Sequence, residues 1–257
     1  MDGMKKWKLP QKYAALLMGL SILFLGGLLW TSQQYKQALS VTSVKVHIQP
    51  LPSGGNMLER EAVEAHFLKV LGFSPTDIAI KHLSIAAWEA DLQKLDYVRR
   101  ADIFIDGNRG LNIQIQQRKP ILRMITGGNS FFLDRQATFL PQTSVYSPRL
   151  PILTGNCPDV KEDEKWRSEL MDLISFFDGN EYERRLVDQI HRNTDGTYTL
   201  IPVLGHLKIH FGTWTAVKAK FARLQHFFDE VLPEKGWTKY ESIDVSFEDQ
   251  VIAKMKV

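Results

Sequence analysis

A chain of 257 residues that is 44% hydrophobic, 24% charged and 11% aromatic can bury a sizeable core and is not disordered by composition. Its net charge of +3 resides in the first twelve residues, where Lys5, Lys6, Lys8 and Lys12 face Asp2 alone, so the other 245 residues carry 28 charges of each sign and no cationic face for nucleic acid is expected. The single cysteine, Cys157, excludes an intrachain disulfide and any metal site that needs two thiolates.

No charged residue occurs from Tyr13 to Tyr35, and Ala14–Trp30 is apolar apart from Ser21. The run supplies the roughly 20 residues that cross about 30 Å of hydrocarbon, with Tyr13 and Trp30 at the positions of interfacial aromatic belts. The excess of lysine on the N-terminal side predicts a cytoplasmic tail over residues 1–12, an anchor over 13–31 and export of everything beyond. Ala38-Leu39-Ser40 has the small-x-small pattern of a signal cleavage site, but it lies about ten residues past the apolar run, which itself exceeds the roughly 7–15 residues of a signal peptide core. An uncleaved anchor is therefore expected. Ala15 and Gly19 could pack on a second helix, a weak signal in any short membrane run.

Residues 32–43 are polar with few charges and read as a tether. Val44, Val46 and Ile48 alternate as a strand before the breaker-rich Pro50–Gly55. Val63, Phe67, Val70 and Leu71 then form a helical stripe closed by Gly72, and Ile85, Trp88, Leu92 and Leu95 form a second with Ser84 as N-cap. Ala101, Ile103 and Ile105, then Leu111, Ile113 and Ile115, alternate on either side of Asp106–Gly110 and predict a hairpin. The order over 44–118 is β-α-α-β-β.

Beyond Ile121 the pattern changes to short apolar runs, Ile121–Ile125 and Phe131–Leu133, around Gly127-Gly128-Asn129. A loop with Pro141, Pro148 and Pro151 follows. Trp166, Leu170, Leu173, Ile174 and Phe177 mark a helix stopped by Gly179. Tyr198–Ile201 and Leu207–Phe211 are strand-like around Thr194-Asp195-Gly196. Thr213 can cap a last helix with the stripe Val217, Phe221, Leu224, Phe228 and Val231. Ile243–Phe247 and Val251–Val257 alternate in phase across Glu248-Asp249, so one buried face is expected to continue through a turn or bulge.

Motifs for catalysis are missing: there is no glycine-rich phosphate loop, G-x-S-x-G elbow, H-E-x-x-H helix or paired C-x-x-C. His206 and His210 would share a strand face with Lys208, two ligands being too few for a metal centre. Cys157 has no histidine close in sequence and reads as an inert thiol. The acidic run Asp159–Glu164 suits a helix N-terminus better than a calcium loop. Trp166, Trp214, Phe227 and Phe228 fall on or beside helical stripes as core. No enzyme activity, cofactor, metal or small-molecule substrate is expected.

The order of tail, anchor, tether, β-α-α-β-β domain and mixed α/β domain ending in a strand resembles the bacterial cell-division family FtsQ/DivIB. Leu92 and Leu95, Tyr97–Ala101, Leu111–Ile115 and Arg118-Lys119-Pro120 resemble that family's helix-to-hairpin run and its E-R-x-P junction, with Gln117 where the glutamate is expected. Phe132-Leu133-Asp134 resembles its L-V-D element, with Gln136 in place of a glycine. Leu150–Gly155, Val203-Leu204-Gly205, Lys220 and Ile243–Val251 match in kind. The resemblance implies an α+β fold with a POTRA domain over 44–120 and a β domain over 121–257 ending in an edge strand. It also implies a non-enzymatic, single-pass type II scaffold of the divisome in the cell inner membrane at the septum, its bulk periplasmic, binding FtsB and FtsL. Family members hold FtsB by strand addition, at positions matching Ile243, Asp244, Val245, Ser246, Phe247, Glu248, Gln250, Val251, Ile252 and Lys254, where proline at Ser246 or Ile252 is the natural probe. From the residues alone, Ile243–Val257 reads equally as a central or covered strand. A POTRA-bearing envelope translocation or assembly component would need a long run of barrel strands, and a membrane-tethered envelope hydrolase a cleft of titratable side chains.

Overall fold

The computed structural model describes residues 11–38, 40–72, 76, 79–204, 207–236 and 238–256. The basic residues Lys5, Lys6 and Lys8 lie outside them, as do Leu39, Gly205, His206 and Val257. Helix α1 (Gln11–Ala38) contains the expected anchor and continues beyond it, so 32–38 are helical where a tether was predicted. Its large apolar side chains from Leu16 to Trp30 are exposed. Among the described residues no helix is long and apolar enough to cross a membrane.

Two compact units share the chain in an interleaved way. One takes the chain up to His47, Arg60–Gln93 and Arg100–Ile115, and the other takes Ile48–Glu59, Lys94–Arg99 and Gln116 onward. The first is built from β1 (Ser43–Gln49), α2 (Arg60–Leu71), a 3-10 turn (Ile80–His82), α3 (Ile85–Leu92), β2 (Val98–Ile105) and β3 (Gly110–Gln117), with sheet order β1-β3-β2. Alternation fills its core: Ala101, Ile103, Leu111, Ile113 and Ile115 are buried, with Val63 and Phe67 of α2 and Trp88 and Leu92 of α3. The Trp88 indole meets the Phe67 ring edge-on at 5.2 Å. In the hairpin Asp106 accepts the Gly110 N–H, the Asn112 side-chain amide and the Asn108 N–H, which draws its carboxyl below the usual carboxylate range. β2 is an outer strand, and its Ile103 N–H donates to Glu89 Oε1 on α3 at 2.7 Å.

The second unit carries a nine-stranded sheet formed by β4 (Pro120–Thr126), β5 (Asn129–Asp134), β6 (Phe139–Pro141), β7 (Ile152–Gly155), β8 (Val187–Arg192), β9 (Tyr198–Pro202), β10 (Lys208–Gly212), β11 (Tyr240–Asp244) and β12 (Ile252–Met255). Its spatial order is β12-β11-β10-β9-β8-β7-β4-β5-β6. The parallel neighbours β7 and β8 are joined by α4 (Glu164–Gly179) and α5 (Glu181–Leu186), and the parallel β10 and β11 by α6 (Val217–His226), a π segment (Phe227–Val231) and α7 (Leu232–Lys235). Parallel pairing requires such crossovers. Their apolar faces, Trp166, Leu170, Leu173, Ile174 and Phe177 on α4 and Phe221 and Leu224 on α6, share one core with Ile190, Leu200, Ile209, Phe211 and Ile243 of the strands.

A smaller cluster of Leu51, Met57, Tyr97, Phe132 and Leu140 belongs to the same unit. Gln117 anchors the loop beside it: its Oε1 accepts the Met57 N–H at 2.6 Å, and its Nε2 donates to Gln49 O at 2.8 Å and Asn56 Oδ1 at 3.0 Å. A glutamate could accept from Met57 but could not donate to the other two oxygens, so the amide fits this environment where a carboxylate would not.

Several local expectations change. Val70 is exposed although the stripe put it inside. Ser84 precedes α3 without a side-chain cap bond, and α6 starts after left-handed Ala216 rather than at Thr213, whose carbonyl is taken by Lys220. α4 includes Gly179, and Asn180 Nδ2 closes it on Phe176 O at 2.7 Å. The expected last helix is broken by its π segment, which lets the consecutive Phe227 and Phe228 both face inward. At the start of α4 the acidic residues do what the sequence suggests, Asp163 Oδ1 accepting the Trp166 N–H.

Two substitutions check this packing. Trp88→Ala should lower stability by about 3–5 kcal/mol in denaturant unfolding, the usual cost of a large-to-small core change. Gln117→Glu should cost about 1–3 kcal/mol near neutral pH by facing a carboxylate with two acceptors. Burial beside those oxygens raises that carboxyl in the folded state only, so its penalty is lost as pH falls through the folded value and is full above it. An equal penalty at pH 4 and pH 8 would show that Gln49 O and Asn56 Oδ1 do not need the amide.

Candidate partner-binding edge

The C-terminal segment folds back as two strands. β11 lies inside the sheet, parallel to β10 in the register Lys208↔Ser242, Ile209↔Ile243 and His210↔Asp244, and antiparallel to β12 in the register Ile243↔Ala253 and Asp244↔Ile252. Ile243 and Val245 are fully buried, and the Val245 N–H donates to His210 O at 3.0 Å. The exposed edge therefore belongs to β12 alone, and the sequence-predicted set divides: Ile243 and Val245 serve the core, Asp244 and Ser246 make the turn, and Phe247, Glu248, Gln250, Ile252 and Lys254 are exposed.

The turn is held from two directions. Asp244 Oδ1 accepts both the Ser246 N–H at 2.8 Å and its hydroxyl at 2.6 Å, and Arg223 Nη2 on α6 donates to Val245 O at 3.1 Å and Phe247 O at 2.9 Å. Three residues before Arg223 on α6, the buried Lys220 ammonium donates to Thr213 O at 2.7 Å and lies 5.0 Å above the Phe211 ring. Burial lowers the Lys220 amine below the usual lysine range, nearby Arg223 adds to this, and Asp244 opposes it. Gly212 beside it has φ +69°, and a Cβ there would lie 2.8 Å from the Ser246 Cβ, so the chain after β10 and the turn after β11 approach too closely for a side chain.

Val251, just before β12, and Ala253 within it pack on the core while Ile252, Lys254 and Met255 are exposed, and Lys254 pairs with Glu241 at 2.8 Å. The Lys256 N–H donates to Lys239 O at 2.8 Å across the ladder. Amide direction alternates along a strand, so the Ile252 and Lys254 N–H groups also turn toward β11, and those of Ala253 and Met255 turn outward. Proline at Ser246 or Ile252, the probes the sequence suggests, would remove internal bonds instead of outward ones. Ala253, Met255, Lys220 and Arg223 are what residue patterning did not assign to this site; the signal available for the first two was the period-2 repeat counted from the inner face.

Of the other candidates for chemistry, His206 lies outside the described residues. His210 is exposed on β10, and among the described residues no group of three or more histidine, cysteine or acidic side chains could hold a metal ion. Cys157 is half-buried, and burial pushes its thiol up to about 11, against a smaller lowering by Arg192. At pH 8 its thiolate fraction is therefore about a thousandth, and alkylation of the folded chain should run roughly a hundredfold slower than that of a free thiol. Alkylation at the free-thiol rate would overturn this.

The family model described as FtsQ/DivIB, C-terminal related, matches residues 119–254, from the start of the nine-stranded sheet through β12. No curated protein matches the chain. The match takes in Lys220, Arg223, the turn and both terminal strands, so the sheet whose edge has just been described is the part of the molecule that is related by sequence. The chain belongs to the FtsQ/DivIB family of bacterial cell-division proteins.

Proposed function

We propose that this protein is a non-enzymatic bitopic scaffold of the bacterial divisome and that β12 takes up a strand of FtsB, with FtsL as the associated partner. The observation that carries the reading is the position of β12 at one end of the nine-stranded sheet, with the Ala253 and Met255 amides turned outward. Of the other outer strands among the described residues, β1, β2 and β6, two are partly covered. β6 at the opposite end is three residues long, ends in Pro141, and has the Pro141 carbonyl occupied by the Tyr97 hydroxyl. β2 has its Ile103 amide capped by Glu89.

The uncharged stretch from Tyr13 to Tyr35 and the lysines before it support an inner-membrane anchor with a cytoplasmic N-terminus and a periplasmic bulk that functions at the septum, a reading that rests on the sequence, since among the described residues no helix is itself long and apolar enough to cross. The β-α-α-β-β order over 44–120 supports a POTRA domain, and 121–257 then form the β domain.

Proline at outward amides is the test. Ala253→Pro should weaken binding of the exported segment of FtsB by about tenfold or more while leaving the melting temperature near that of the parent, because the lost N–H makes no internal bond. Ile252→Pro should instead lower the melting temperature. A folded Ala253→Pro protein that binds FtsB undiminished would sink strand addition at β12.

A further inference from the structure

Outside the terminal edge, the second unit holds a groove of about 530 Å³ whose walls include Leu51, Leu150, Pro52, Pro120 and Pro148. Its charged lining is Lys119, Arg149, Arg184 and Arg185 against Glu181 and Asp188. A smaller cleft that shares Lys119 adds Arg99, Arg118 and Arg135 against Asp134 and Asp178. Together the two carry seven cations and four carboxylates, in a protein whose residues beyond the first twelve balance to zero.

The ion pairs show where the surplus sits. Arg118 is bound to Asp134 at 2.9 Å, Arg185 to Glu181 at 2.6 Å and Arg149 to Asp188 at 3.6 Å. Lys119 and Arg135 share one carboxylate, Asp178, at 2.9 and 2.7 Å. Burial of Asp178 favours its neutral form, but the two cations outweigh that and hold its pKa below the usual range. Arg99 and Arg184 have no carboxylate partner among the described residues, and the guanidinium of Arg184, half-buried in the groove wall, donates to the Phe177 carbonyl at 3.3 Å.

We infer that this groove and the cleft that shares Lys119 with it form a docking surface for an acidic extended peptide segment of a partner protein, with Arg184 in the groove and Arg99 in the cleft taking its carboxylates and the leucine and proline walls its apolar side chains. The chemistry favours side-chain recognition over sheet extension, because three of the lining residues are prolines without an N–H to offer. A guanidinium fork lacking its own carboxylate, set against apolar surface, binds a carboxylate more strongly than an exposed lysine would. The surface is separate from β12 and does not rest on the strand-addition reading.

The test uses the full chain in detergent and a fluorescein-labelled peptide of alternating glutamate and leucine, followed by fluorescence anisotropy. A peptide with glutamine in place of glutamate, vesicles containing anionic lipid, and FtsB binding at β12 are measured in parallel. The acidic peptide should bind with an affinity that falls as salt rises, the glutamine peptide should not, and Arg184→Gln or Arg99→Gln should each weaken binding by about threefold to tenfold. Lys161→Gln, an exposed change away from the groove, should have no effect, and FtsB binding should be the same in all variants. The inference is overturned by equal binding of both peptides, by capture of vesicles without capture of the peptide, or by undiminished binding in folded Arg184→Gln and Arg99→Gln proteins.

Discussion

The parallel pairing of β11 on β10 is the constraint from which the terminal region follows. Two parallel neighbours cannot be joined by a tight turn, so the chain must leave the sheet, cross it and return. The crossing element is buried on return, and Phe221 accordingly stacks on Phe176 at 4.9 Å and packs against Phe211 at 5.2 Å. Once α6 is fixed by those rings, Lys220 and Arg223, three residues apart, are carried to the ends of β10 and β11. The turn that launches β12 is thus set by aromatic packing several residues away from it.

Polar groups inside the second unit obey a similar discipline. Asp134 is buried and answers with three bonds, from Arg118 and from the Gln136 and Thr138 N–H groups. Arg192 is buried with its guanidinium on Asn156 O and Glu169, over the Trp166 ring at 4.6 Å. These sites cost stability if one partner is lost, because the other charge is left without compensation. Gln117 shows the same logic for a neutral group.

Alternation made the first unit legible, since its strands have one buried face and its helices a single apolar stripe. Val70 was misplaced because a stripe four residues wide at the end of a short helix does not distinguish the covered side from the free one. β8 was missed for another reason: Val187 and Ile190 are buried at a spacing of three, and Arg192 is buried as a paired cation, so no period-2 signal exists. The π segment was invisible to a 3.6-residue template. The apolar positions at 243, 245, 251 and 253 were found from the sequence, but their equal phase conceals a reversal of direction between the two strands. Which of them carries the edge is decided by β10, which lies far back in the sequence.

The closure of β6 and the openness of β12 give the nine-stranded sheet a polarity of growth. If β12 takes up a strand as proposed, one edge admits one strand and occupancy would be one per chain, and association of two copies through β12 would consume the same hydrogen-bonding groups that a partner needs. Once a foreign strand is seated, the new outer edge is made of the partner's backbone. Whether the assembly then stops or extends is decided by the residues of the incoming chain, and this protein sets only the starting point and the direction.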